Sequence, residues 1–265
     1  MDASAQRMPA VFIGHGSPMN TLEHNRYTET WRRLGESLPK PKAILAISAH
    51  WFIRGTAVTA MERPRTIHDF GGFPKELYAV QYPAPGDPSL AARVRDLLAP
   101  VDVQLDDTWG LDHGTWSVLA HVFPAADVPV MQLSLDATQS PKFHYELAAR
   151  LAPLRDEGVL IVGSGNVVHN LGRIQWADDV PPYDWAVRFN DKVRSLLAAR
   201  DHESLIVFDT LGADARLSVP TPDHYLPFLY VIAQQRRGET VSFPVDGIEY
   251  GSVSMLAVVV GLQQK

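Results

Sequence analysis

The chain has 265 residues, 46% of them hydrophobic and 20% charged, with a formal net charge of −6. That balance suits a folded protein with a sizeable core and argues against nucleic-acid binding, since no Lys/Arg run stands out. The absence of cysteine excludes disulfides, thiolate metal sites and a cysteine nucleophile, so any metal must be held by His, Asp or Glu.

The opening stretch, "MDASAQRMPA", lacks the charged-then-apolar pattern of a secretory leader. Strand-like runs are expected at 10–14 ("AVFIG"), 43–48 ("AILAIS") and 56–61. A helix at 88–99, with Pro88 just inside its start, precedes a strand at 101–105. A helix at 114–123 and a strand at 128–135 follow. Residues 141–156 have a Ser N-cap, a proline at the first position and helical apolar spacing, which predict one helix. A strand at 159–164, helices at 183–200 and 223–236, and strands at 239–245 and 252–260 complete the series.

Several strands are continuous apolar runs, as expected where helices cover both faces of a sheet. The alternation predicts an α/β fold, with a central mostly parallel or mixed sheet flanked by helices. One catalytic domain over 1–265, with its core at about 9–260, is expected, as no linker or repeat interrupts it. No apolar run reaches the roughly 18 residues of a membrane span. A cytoplasmic location is the simplest expectation, and the oligomeric state stays open. In an open sheet of this kind, ligands bind beyond the carboxyl ends of the strands.

Ten histidines provide the chemistry. His15 follows "AVFIG", His50 follows "AILAISA", and His169 follows "VLIVGSGNVV". These three are expected just past the carboxyl ends of three strands, where imidazoles can converge. His113 sits in "WGLDHGTW", His224 in "TPDHYLP" and His68 in "TIHDFGGFP". His24, His121, His144 and His202 read as surface or helix-face residues. A cluster of neutral imidazoles suits Zn²⁺ or Fe²⁺. Gly14 and Gly16, flanking His15, let the chain turn sharply beside a ligand. Phosphate loops, a "GxSxG" elbow and "HExxH" are all missing.

"FIGHGSPMN", "ILAISAHW", "TIHDFGGFP", "YPAPGDP", "GLDHGTW", "VPVMQLSLD", "GSGNVVHNLG" and "TPDHYLPFLYVIA" occur in this order. Together they resemble the class III extradiol ring-cleavage dioxygenases, specifically the 4,5-DOPA dioxygenase-like branch of the LigB-type superfamily. The resemblance runs from about residue 9 to 260. It implies a mononuclear metal, Fe²⁺, with Zn²⁺ seen in related isolated proteins. Carried over by motif, His15, His50 and His224 hold the metal, His169 is the acid/base, and His113 lines the substrate pocket.

The superfamily's two-His-one-carboxylate set makes Glu249 the nearest alternative ligand. His224 ranks above it because it lies in the stronger motif. The implied partners are a small aromatic diol such as L-DOPA and O₂, and the implied product is a muconic semialdehyde. His68 and Asp69 are expected to meet the substrate's polar tail, with Phe70 and Phe73 packed on its ring. Ser17, Ser48 and Asn166 are expected to orient imidazoles. Competing readings are a zinc hydrolase on the same histidines, with Glu249 or an aspartate as base, and a non-enzymatic metal-binding relative.

Overall fold

A computed structural model describes residues 7–177 and 180–262. Residues 1–6, on which the leader reading partly rests, lie outside the described residues. The strands are β1 (Ala10–Gly14), β2 (Ala43–Ile53), β3 (Thr56–Thr59), β4 (Val103–Asp106), β5 (Val130–Asp136), β6 (Val159–Gly165), β7 (Val241–Ser242), β8 (Ile248–Glu249), β9 (Val253–Ser254) and β10 (Ala257–Val260). The helices are α1 (Arg26–Ser37), α2 (Lys75–Tyr78), α3 (Pro88–Leu98), α4 (His113–Val122), α5 (Pro141–Ala149), α6 (Ala152–Asp156), α7 (Asp184–Ala198), α8 (His202–Ile206), α9 (Ala213–Ser218) and α10 (Leu226–Ile232).

Eight strands form one sheet in the order β4-β3-β5-β2-β6-β1-β10-β7. Its centre, β5-β2-β6-β1, is parallel throughout. β3 and β10 join their central neighbours antiparallel. The expected α/β fold with a mostly parallel, helix-flanked sheet is therefore what the chain adopts. Side chains alternate along each strand. Phe12, Leu45 and Ile161 face the layer holding Phe189 and α10. Val11, Ile44 and Leu160 face the layer holding Trp31 and Trp116. Both faces are buried, which explains the unbroken apolar runs.

Several expected boundaries differ. The helix expected over 141–156 is two, α5 and α6, broken at Arg150 and Leu151. Pro153 lacks an amide donor, and its ring would clash with the carbonyl four residues earlier. The strand expected over 252–260 is also two. Its first half pairs with β8 and its second with β1, and the Ser254 hydroxyl accepts the Leu256 N–H at the break. The strand expected over 239–245 shrinks to Val241–Ser242, with Pro244 beyond it unable to donate to a ladder.

β2 instead runs longer than expected, to Ile53. Its pairing with β6 ends at Ser48, and its register with β5 shifts between Ile47 and Phe52. His50 therefore sits within an irregular strand end, not past it, and the irregularity redirects its side chain.

Helix α1 had no counterpart in the expected elements. Asn25 caps it, with Thr28 completing a reciprocal capping box. Tyr27, Trp31 and Leu34 recur at helical spacing and are buried. The stretch is otherwise polar, which masked the pattern.

Candidate active site

The parallel centre of the sheet brings five imidazoles to one rim. His15 leaves β1, His50 lies near the end of β2, His169 follows β6, His113 opens α4 and His224 precedes α10. All five line one cavity of about 560 Å³. The His15 ring centroid lies 5.1 Å from His50, 5.8 Å from His113 and 5.3 Å from His224. His50 and His113 approach to 3.9 Å, and His169 stacks on His224 at 3.5 Å and 8°.

Local chemistry fixes each element end. Gly16 takes φ +60°, a left-handed conformation that turns the chain off β1 with little strain only for glycine. Ser17 accepts the Met19 N–H and caps the following turn. Asp112 caps α4 by accepting the Thr115 N–H, so His113 stands in the first turn. Complete burial pushes the Asp112 carboxyl up to about 6. Gly114 admits close approach, because a Cβ there would stand 2.5 Å from Ser48 Oγ and 2.8 Å from the His50 ring.

Polar groups behind the rings determine which nitrogens face inward. The Ser164 hydroxyl donates to Gly114 O, so its oxygen accepts from His15 Nδ1–H at 3.0 Å. Asp223 accepts from His224 Nδ1–H. Asp69 faces two rings, 3.3 Å from His50 Nδ1 and 3.0 Å from His113 Nδ1. Such partners turn Nε2 toward the cavity. Burial lowers the affinity of His15, His50 and His224 for a proton, and the neighbouring imidazoles lower it further. Burial also brings His169 down to about 4, with Asp223 opposing the shift. These four rings are neutral near pH 7 and offer lone pairs.

The donor set fits a metal ion. His15 Nε2 and His50 Nε2 face each other at 3.3 Å. With both Nδ1 protons directed outward, neither Nε2 supplies a proton to the other. Two nitrogens at metal–N distances of about 2.0–2.1 Å in a tetrahedral site stand about 3.3 Å apart. One ligand nitrogen from each of His15, His50 and His113 lies within 4.8 Å of the other two, so these three could hold a metal.

Most of the remaining lining is apolar. Phe70, Phe73, Leu171, Ile174 and Val253 line it, and Trp176, 75% exposed, stands at its mouth. That shape suits an aromatic ring.

Residues 9–233 match the family described as "Catalytic LigB subunit of aromatic ring-opening dioxygenase". The chain belongs to this LigB family. A relative from Escherichia coli (strain K12), named 4,5-DOPA dioxygenase extradiol, is 53% identical over 97% of this chain and 96% of its own length. A relative of the same name from Beta vulgaris is 39% identical over 91% of this chain and 94% of its own. The crystal structure of an uncharacterised protein from Escherichia coli K12 matches with a TM-score of 0.85 and 48% identity, covering 96% of this chain and all of the other. LigB membership agrees with the ordered motifs that carried the resemblance.

Other expected site residues sit differently in this LigB chain. Phe70 and Phe73 line the cavity, whereas His68 and Asp69 are not among the described residues that do. His68 Nε2–H donates to Val80 O. Ser48 accepts the His50 backbone N–H, and Asn166 Nδ2 donates to Ser254 O. Neither these two nor Ser17 has a hydrogen bond to an imidazole ring among the described contacts. Glu249 lies on β8 against Tyr27 and Arg26, outside the described lining of the histidine cavity.

None of Ser164, Asp69 and Asp223 was expected from sequence to orient an imidazole. Asp223 adjoins His224 in "TPDH" and was visible as a neighbour. Ser164 is 149 positions from His15 and becomes its partner only through β1–β6 pairing. His144 and His121, read as helix-face residues, are indeed on α5 and α4. They hydrogen-bond Tyr230 and Asn20 O respectively, away from the cluster.

Among the described residues, no helix is long and apolar enough to cross a membrane.

Proposed function

We propose that this protein is an extradiol dioxygenase that opens the ring of a catechol such as L-DOPA beside its two hydroxyls, using O₂, to give a muconic semialdehyde. The observation that carries this reading is the convergence of five imidazoles on the wall of one aromatic-lined cavity. The names of the relatives from Escherichia coli and Beta vulgaris support the substrate. The core at about 9–260 acts in this reading as one catalytic domain.

His15, His50 and His224 are the proposed metal-holding residues, with Fe²⁺ as the working ion and Zn²⁺ as an ion that isolated protein can carry. His15 and His50 also belong to the close trio with His113. His224 is favoured as third donor by the Asp223 contact behind it, which frees its Nε2. A divalent metal held by these residues would supply Lewis-acid and redox chemistry between the diol and O₂.

The chain's own side chains supply positioning and proton transfer. Phe70 and Phe73 pack on the ring, and the apolar wall displaces water. His169, neutral and beside His224, takes a phenolic proton at a ring nitrogen and returns a proton as the ring opens. His113 hydrogen-bonds an oxygen of the substrate.

Protein reconstituted anaerobically with Fe²⁺, then given L-DOPA or catechol and air-saturated buffer, tests this reading. Yellow product absorbance should rise, with oxygen uptake matching it mole for mole. Iron-loaded protein that takes up no oxygen with any catechol overturns the reading.

A further inference from the structure

We infer that Asp69 is a positioning residue that orients two imidazoles with one carboxylate. It thereby couples His50, in the metal-holding set, to His113, on the cavity wall. This rests on the functional reading above.

The geometry is specific. Asp69 Oδ2 stands 3.3 Å from His50 Nδ1, while Oδ1 stands 3.0 Å from His113 Nδ1 and accepts the His113 backbone N–H at 2.8 Å. Among the described residues the buried His113 Nδ1 makes no well-formed hydrogen bond, and the Asp69 carboxylate is the group that faces it. An unsatisfied buried donor costs about 1–3 kcal/mol, so Asp69 is where its proton is directed. His50 belongs to β2 and His113 to α4, so no shared backbone aligns their rings. The carboxylate that faces both comes from a third segment, the loop after β3.

That loop is tied to the scaffold beside α4. Ile67 N–H donates to Leu111 O, Leu111 N–H donates to Arg65 O, and Trp116 Nε1–H donates to Ile67 O at 2.7 Å. Asp69 is therefore held in place with both oxygens turned to imidazoles. This is a different job from the substrate-tail contact expected of it from sequence.

A carboxylate has two acceptor oxygens, one for each ring. An asparagine has one acceptor and one donor group, so it cannot receive both N–H groups. Asp69→Asn therefore removes one interaction with little change in shape. Loss of a group that orients a metal-binding histidine lowers metal affinity by about 10–100-fold.

The test loads wild type and Asp69→Asn with Zn²⁺. It measures the dissociation constant by chelator competition and reads imidazole protonation from ¹H–¹⁵N spectra of histidine-labelled protein. In wild type, His50 and His113 should both carry their proton on Nδ1. In the variant, affinity should fall 10–100-fold and one of the two rings should lose that state, with the unfolding midpoint of metal-free protein unchanged. Wild-type affinity with both rings unaltered overturns the inference. Should Asp69→Asn not fold, the wild-type spectrum decides, since a proton on Nε2 of either ring overturns it. Wild type that binds neither Zn²⁺ nor Fe²⁺ defeats the functional reading itself, and this inference with it, before any variant is compared.

Discussion

His169→Ala should lower turnover by about 10²–10⁴-fold, the range for losing a positioned acid/base, while the protein keeps its metal. His169 stacks on His224 at 3.5 Å, close enough to share the cavity. Burial brings it down to about 4, so at pH 7 it is neutral and ready to accept a proton. Its conjugate acid then returns that proton readily. His169→Gln keeps a polar side chain without a transferable proton of this kind, and should be as slow as the alanine variant. Oxygen uptake and metal content, measured on the same samples, check this. A variant that loses its metal makes His169 a ligand and reassigns the role.

Glu239→Ala should cost about 3–5 kcal/mol of stability, the usual consequence of leaving one member of a buried ion pair alone. The Arg155 side chain is fully buried and that of Glu239 is 14% exposed. Arg155 donates to Met8 O and Gln234 O, and its two Nη groups meet both Glu239 oxygens at 2.8 and 2.9 Å. These bonds tie the start of β1, α6 and the segment after α10 together.

Burial alone would raise the Glu239 carboxyl. Its bonds to Arg155 and to the Arg236 backbone N–H outweigh that and hold it below the ordinary glutamate value. A depressed folded-state value gives stability that is present above the unfolded-state value and lost as pH falls through the folded one. The gap between wild type and variant should thus be full near pH 7 and close in acid. Urea midpoints across pH, at constant slope, measure it. Because the pair is remote from the cavity, turnover per folded molecule should not change. Equal midpoints at pH 7 contradict the assignment.

The sheet was legible because its central strands are buried on both faces, so β1, β2, β5 and β6 appear as unbroken apolar runs. The rim was legible because the runs of β1, β2 and β6 lead into stretches rich in glycine, serine and histidine. What the sequence hid were relations across long separations. Ser164 reaches His15 only because β6 and β1 pair in parallel, and Asp69 reaches two rings only because its loop is tied to α4. Ser17, Ser48 and Asn166 looked like imidazole partners because they neighbour histidines along the chain. In the fold Ser17 and Asn166 meet backbone groups, and Ser48 meets the His50 backbone N–H and the Asp112 carboxyl. The break at Pro153 and the capping box of α1 carried local signals that a proline rule and a capping rule describe. Apolar spacing outweighed the first, and overall polarity masked the second.

The central claim is that both atoms of O₂ enter an opened aromatic ring. Fe²⁺-loaded protein turning over a catechol under ¹⁸O₂, with the product trapped before its aldehyde oxygen exchanges with water, tests it most directly. The expected result is a single ring-opened product carrying two ¹⁸O atoms. An intact ring, or product oxygen drawn from water instead of O₂, contradicts the account.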